Sequence, residues 1–177
     1  MEEYRKEIIL EEVMKEHGSD LVRLAFNYVK DKETAKDMVQ NTFIKCYENL
    51  DNFRYDSSIK TWLYRITINQ CKDYLRSWNY RKVKAKSFFG SAVTSFLPSA
   101  EDKVIRDSES EEIKGFIFSL PKNYREVMFL YYYESLSIRE IAEVTGLKVN
   151  TVKTRMKRAK QRLKILIEEA NIYGEQV

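Results

Sequence analysis

The stretch SIREIAEVTGLKVNTVKTRMKRAKQRLKIL, residues Ser137 to Leu166, decides how the rest of the chain is read. It has the pattern of a helix-turn-helix. Ser137 is a good N-cap, and Glu140 three residues later completes a capping box. Ile138, Ile141, Ala142 and Thr145 lie along one side of the short helix that follows. Gly146 supplies the left-handed residue that ends a helix and turns the chain. A second helix restarts near Asn150. In it Val152, Met156, Ala159 and Leu163 recur at helical spacing and form a buried stripe. The opposite face carries Asn150, Lys153, Thr154, Lys157, Arg158 and Gln161. Between Lys148 and Lys164 the cations are Lys148, Lys153, Arg155, Lys157, Arg158, Lys160, Arg162 and Lys164, with no Asp or Glu among them. A long helix of one charge sign repels itself unless a polyanion lies against it. A basic run alone is often a solvated face. Joined to a buried stripe and a Gly turn, it points to DNA.

The remaining composition sets bounds. A chain of 177 residues makes one ordinary domain or two small ones. Only 5 Gly and 2 Pro against 33% charged residues favour an all-α fold. The net charge of +4 says little; its segregation says more. Cys46 and Cys71 sit in apolar helical patterns without metal-ligand spacing and read as buried, reduced thiols in a cytoplasmic protein. The amphipathic, charged N-terminus is unlike a signal peptide, and no apolar run approaches the ~18 residues of a membrane span. No Gly-rich phosphate loop, His–Cys cluster or nucleophile beside a base occurs, so no catalytic centre, cofactor or metal ion is expected.

Upstream, Glu2 to Glu16 reads as one helix, ended by His17-Gly18, with His17 placed to meet the helix dipole. Asp20 to Lys30 reads as a second. A third, from Asp31 to about Asn49, turns Ala35, Met38, Val39, Thr42, Cys46 and Leu50 inward and leaves Asp37, Gln40, Asn41, Ile44, Lys45 and Glu48 outside. Leu50 to Ser58 is a loop holding Phe53, Arg54 and Tyr55; rings and guanidinium groups can stack on an unpaired base. The simpler alternative is that Phe53 and Tyr55 plug the loop onto the core. Ser58 caps a long helix, about Ile59 to Trp78, with an inward stripe of Ile59, Leu63, Ile66, Tyr74 and Trp78. A second stripe, Trp62, Arg65, Asn69, Lys72 and Arg76, offers an aromatic, an amide and three cations along one track. Lys86 to Ser110 has no sustained period and reads as a linker whose Phe88, Phe89, Phe96 and Leu97 dock on something. Cleavage there is expected to separate the halves of the free protein. Two short helices, Glu109 to Ser119 and Lys122 to Tyr133, lead into the helix-turn-helix.

These residues resemble a known family. AKDMVQNTFIKCYENLDNF resembles the polymerase-clamp-binding helix and the start of the melting loop of extracytoplasmic-function sigma factors of bacterial RNA polymerase. SSIKTWLYRITINQCKDYLRSW is similar to their strand-opening helix, with TWLYRI intact. LPKNYREVMFLYYYESLSIREIAEVTGLKVNTVKTRMKRAKQRLK is similar to their second domain nearly end to end. The resemblance implies two small helical domains: residues 1–85, which bind the clamp and melt the minus-ten element, and residues 111–177, which read the minus-thirty-five element. Residues 86–110 join them.

Position by position, the resemblance implies that Asp37, Gln40 and Asn41 meet the polymerase clamp helices. The loop with Phe53, Tyr55, Asp56 and Ser57 captures a flipped base. Trp62, Arg65, Asn69, Lys72 and Arg76 follow the separated strand, and Asn150, Lys153, Thr154, Arg155, Lys157 and Arg158 read duplex upstream. Core RNA polymerase (clamp helices and flap), duplex and single-stranded promoter DNA and an anti-sigma protein are the implied partners. Stress or envelope-response genes are the implied targets. The chain departs from the family pattern at Lys36 and Asn41, where acids are usual, and at Lys148, where Ser or Pro is usual. The rival reading is a stand-alone regulator binding a palindromic operator as a dimer, with its first half a sensor.

Overall fold

The structure, a computed structural model, describes residues 2–53, 56–86 and 108–174. These form seven α-helices and one short 3-10 turn: α1 (Glu2–Val29), α2 (Lys32–Asn49), the turn Leu50–Asn52, α3 (Ile59–Lys86), α4 (Ser108–Ser119), α5 (Lys122–Tyr132), α6 (Ile138–Thr145) and α7 (Val149–Gly174). Two helical domains result. In the first, α1 packs on α2 and α3, and α2 on α3. In the second, α5 packs on α7, with α4 and α6 against them.

The first correction concerns α1. The break expected at His17-Gly18 is absent, and one helix runs from Glu2 to Val29. Gly within a helix costs about 1 kcal/mol relative to Ala. Val13, His17, Leu21 and Leu24 follow one another at helical spacing, and all four are buried. Burying a Val or Leu side chain contributes about 1.5–3 kcal/mol each, which outweighs the glycine. His17 is therefore part of the packed face, not a cap.

The helix ends at Lys30, whose φ of 61° is left-handed. Asp31 then caps α2, accepting hydrogen bonds from the Thr34 amide at 2.8 Å and its hydroxyl at 2.6 Å. The expected inner stripe of α2 is in place: Ala35, Met38, Val39, Thr42 and Cys46 are buried. Thr42 and Thr67 lie 3.2 Å apart between α2 and α3, and each hydroxyl also donates to a carbonyl of its own helix, so both are satisfied.

Ser58 caps α3 as expected, its hydroxyl accepting from the Thr61 amide at 3.1 Å. The helix runs to Lys86 instead of stopping near Trp78. Of the expected inward stripe, Leu63 is buried and Ile59 and Tyr74 pack against the core, whereas Trp78 is exposed; the buried face extends instead to Tyr64, Thr67, Ile68 and Cys71. The reason lies elsewhere in the chain, because α6 of the second domain packs on α3. The linker expected over residues 86–110 is helical at its ends, and Phe88, Phe89, Phe96 and Leu97 lie outside the described residues.

The helix-turn-helix forms as its local signals dictate. The Ser137 hydroxyl accepts from the Glu140 amide at 3.3 Å, and the Glu140 carboxylate accepts from the Ser137 amide at 2.8 Å. Gly146 has a φ of 73° and ends α6. Val152, Met156 and Ala159 are buried on the inner side of α7, as are Ile141, Ala142 and Val144 on α6.

Candidate nucleic-acid interface

The N-terminal half of α7 is held at a fixed angle by the α6 capping box, the Gly146 turn and its own buried stripe. Asn150, Lys153, Thr154, Lys157 and Arg158 project from its outer side, all exposed. Among the described residues no carboxylate pairs with Lys148, Lys153, Lys157 or Arg158. The Thr154 hydroxyl donates to the Asn150 carbonyl at 2.9 Å, which fixes its rotamer and leaves its oxygen able to accept.

The other cations of the run are tied to the protein. The Arg155 guanidinium lies 3.3 Å from the buried Glu126 carboxylate on α5. Lys160 sits over the Tyr131 ring at 5.7 Å, and Arg162 over the Tyr124 ring at 5.2 Å. Lys164 is 3.6 Å from Glu168. So the eight-cation run divides. Lys148, Lys153, Lys157 and Arg158 present charge to solvent, while Arg155 fastens α7 to α5. The family resemblance placed Arg155 with the readers, whereas its guanidinium turns away from them to Glu126.

On the first domain, Arg65, Asn69 and Arg76 form an exposed row along α3. Arg76 lies 3.3 Å from Asp73, an exposed pair worth little. Lys72 leaves this row. Its ammonium lies 3.1 Å from Glu126 and donates to the Thr145 carbonyl, at the C-terminal end of α6, at 3.2 Å. Trp62 is half-buried, and its ring stacks on Phe53 with centroids 4.8 Å apart. The two rings thus form one stacked unit, with one Trp62 face covered. Asp56 is exposed and Ser57 half-buried beside it; Tyr55 lies outside the described residues. On α2, Asp37, Gln40 and Asn41 are exposed on one face that also carries Ile44, 53% exposed.

Both cysteines are fully buried. Burial pushes the Cys46 thiol up to about 11 and the Cys71 thiol up to about 12, so neither is a thiolate at neutral pH. No helix of the described residues is long and apolar enough to cross a membrane.

Comparison with known proteins fits this arrangement. The family described as Sigma-70 region 2 matches residues 13–81, and Sigma-70 region 4 matches residues 111–163. RNA polymerase sigma factor SigV of Bacillus subtilis is 32% identical over 89% of this chain and 90% of its own. ECF RNA polymerase sigma factor SigW of the same organism is 32% identical over 81% of each chain. The chain belongs to the ECF sigma factors of the sigma-70 family. The ECF sigma-E factor of Salmonella typhimurium is 35% identical over 71% of this chain and 69% of its own. Among solved structures, the sigma factor RpoE of Bartonella quintana, crystallised with the anti-sigma factor NepR, shares the fold. Its TM-score is 0.70, with 23% identity over 89% of this chain and 96% of that one.

Within this sigma factor, the region 4 match runs through α6 and the Gly146 turn to Leu163 of α7, and the region 2 match covers α2 and most of α1 and α3. Two residues escaped sequence reasoning. Glu126 and Glu134 are 5% and 2% exposed, the only buried carboxylates among the described residues. Glu126 interrupts the apolar run Tyr124, Val127, Met128 and Leu130, and an acid on the inner side of a short helix was the available signal.

Proposed function

We propose that this protein binds core RNA polymerase and directs it to promoters by reading two separate elements. Lys153, Thr154, Lys157 and Arg158, with Asn150, read the upstream element in the major groove. Side chains of these types reach base edges from a helix held against the duplex. Arg65, Asn69 and Arg76 on α3, together with the Phe53–Trp62 unit and the loop through Asp56 and Ser57, take the unpaired strand of the downstream element. The face of α2 with Asp37, Gln40, Asn41 and Ile44 meets the polymerase clamp. The domain roles are residues 1–85 for clamp and minus-ten, and 111–177 for minus-thirty-five and flap. The protein has no catalytic activity of its own, works in the cytoplasm, and is a target for an anti-sigma protein.

One observation carries most of this reading. The exposed face of α7 bears cations and amides that no carboxylate among the described residues pairs with, and it follows, in the same chain and in the right order, a region 2 domain. A lone operator-binding regulator does not need that first domain.

The reading is tested by mixing the purified protein with core polymerase and measuring the mass of the complex. A one-to-one complex is expected, weakened when Asp37 and Gln40 are both replaced by Ala. A protein that ignores core polymerase and protects a palindromic operator as a dimer would instead be a stand-alone regulator.

A further inference from the structure

The two domains do not merely lie side by side. Glu126 Oε1 accepts from the Tyr28 hydroxyl of α1 at 2.8 Å and lies 3.1 Å from the Lys72 ammonium of α3. Its other oxygen meets Arg155 of α7 at 3.3 Å. Glu134, just past the end of α5, accepts from Arg23 of α1 through Nε at 3.1 Å and a terminal nitrogen at 3.0 Å. The hydroxyl of Tyr64 on α3 donates to its second oxygen. Lys60 donates to the Glu134 carbonyl at 3.5 Å. The Phe118 ring of α4 packs near Phe26, and the Lys30 ammonium sits 4.1 Å from its centroid.

We infer that Glu126 and Glu134 form an intramolecular clasp that holds the free protein shut in a form unable to read a promoter. The inference rests on the reading that α3 and α7 serve separate promoter elements. Elements named for minus ten and minus thirty-five lie roughly 25 base pairs apart, or roughly 85 Å along the duplex. In the clasped form a single carboxylate holds a cation of α3 and a cation of α7. The two helices cannot then span that distance. Lys72, expected on the strand-binding row, is held by Glu126 as it would be by a phosphate.

The partners also make the clasp reversible. A buried carboxylate left without partners is strongly unfavourable. Here, separation leaves neither stranded. Glu126 keeps Arg155 within its own domain. Glu134 sits at a helix end, where separation exposes it to water, and Arg23 keeps Asp20, 3.1 Å away. Lys72, whose partners Glu126 and the Thr145 carbonyl both lie in the second domain, is released by separation to water or to a phosphate.

Small-angle scattering of the full chain tests the clasp without polymerase or DNA. The wild type should stay near the roughly 16 Å radius of gyration of a compact chain of 177 residues. Glu126→Gln/Glu134→Gln should enlarge it by several ångströms while its circular dichroism stays helical. Arg23→Gln, at an exposed position, removes the charge partner of Glu134 and should open the chain partly. It also serves if the double variant fails to fold. The opened protein should bind forked promoter DNA without polymerase at least several-fold more tightly than wild type. Scattering unchanged in both variants would overturn the clasp, and opening without tighter DNA binding would overturn its inhibitory role. Failure of the promoter reading would appear separately, as a wild type that forms no complex with core polymerase.

Discussion

At the residue scale, identical chemistry in different surroundings has different consequences. Arg155 and Arg158 stand on the same helix three residues apart. Arg158 is exposed, while Arg155 closes on Glu126. Arg158→Ala or Lys157→Ala should cost on the order of 1–3 kcal/mol of binding and relax base preference upstream. Lys148→Ala should weaken all sequences alike and reduce the salt slope by about one. Arg155→Ala should instead leave base preference intact and lower the melting temperature, because it leaves a buried carboxylate short of a partner. Binding to a panel of substituted duplexes, beside a thermal melt, separates these outcomes. Gly146 offers a cleaner case. Its φ is 73° and nothing lies within 4 Å of an added Cβ, so Gly146→Ala should cost about 1–2 kcal/mol from backbone conformation alone.

At the element scale, what could be read from the chain depended on where each helix finds its partners. The helix-turn-helix was legible because its signals are local: a capping box, a left-handed glycine, and a stripe buried within the same domain. The inner stripe of α2 was legible for the same reason. Gly18 misled because a local breaker was outweighed by Val13, His17, Leu21 and Leu24, whose burial depends on neighbouring helices. The face of α3 misled because part of its cover comes from α6, far along the chain. Lys72 was placed on the strand-binding row by spacing, yet its ammonium leaves that row for Glu126 and the Thr145 carbonyl of the docked domain. Nor could periodicity show that Phe53 and Trp62 stack on each other. Gly18 lies mid-helix and an added Cβ would meet nothing within 4 Å, so Gly18→Ala should stabilise the protein by about 1 kcal/mol in a denaturant titration. A loss of stability would mean that the helix does not run through.

Across the whole molecule, the two domains are joined by chain and by an interface in which α6 packs on α3, Phe118 lies near Phe26, and Glu126 and Glu134 are the buried charges. The aperiodic sequence of the linker predicts that cutting it separates them. With the clasp in place, a protease site inserted within residues 87–107 should yield two fragments that co-elute at low salt. The same cut in Glu126→Gln/Glu134→Gln should release them. The division into domains thus follows from the sequence, whereas the buried charges that fasten them, Glu126 and Glu134, are two acids that periodicity does not mark. The proposed function is that this chain carries core polymerase to promoters by reading one element with α7 and another with α3. It is tested most directly by transcription in vitro with core polymerase over genomic DNA, with the 5′ ends of the transcripts sequenced. Discrete start sites sharing two upstream motifs are expected. The upstream motif should blur with Lys157→Ala and Arg158→Ala, and initiation should fail on intact duplex with Asn69→Ala. Start sites no different from those of core polymerase alone would contradict it.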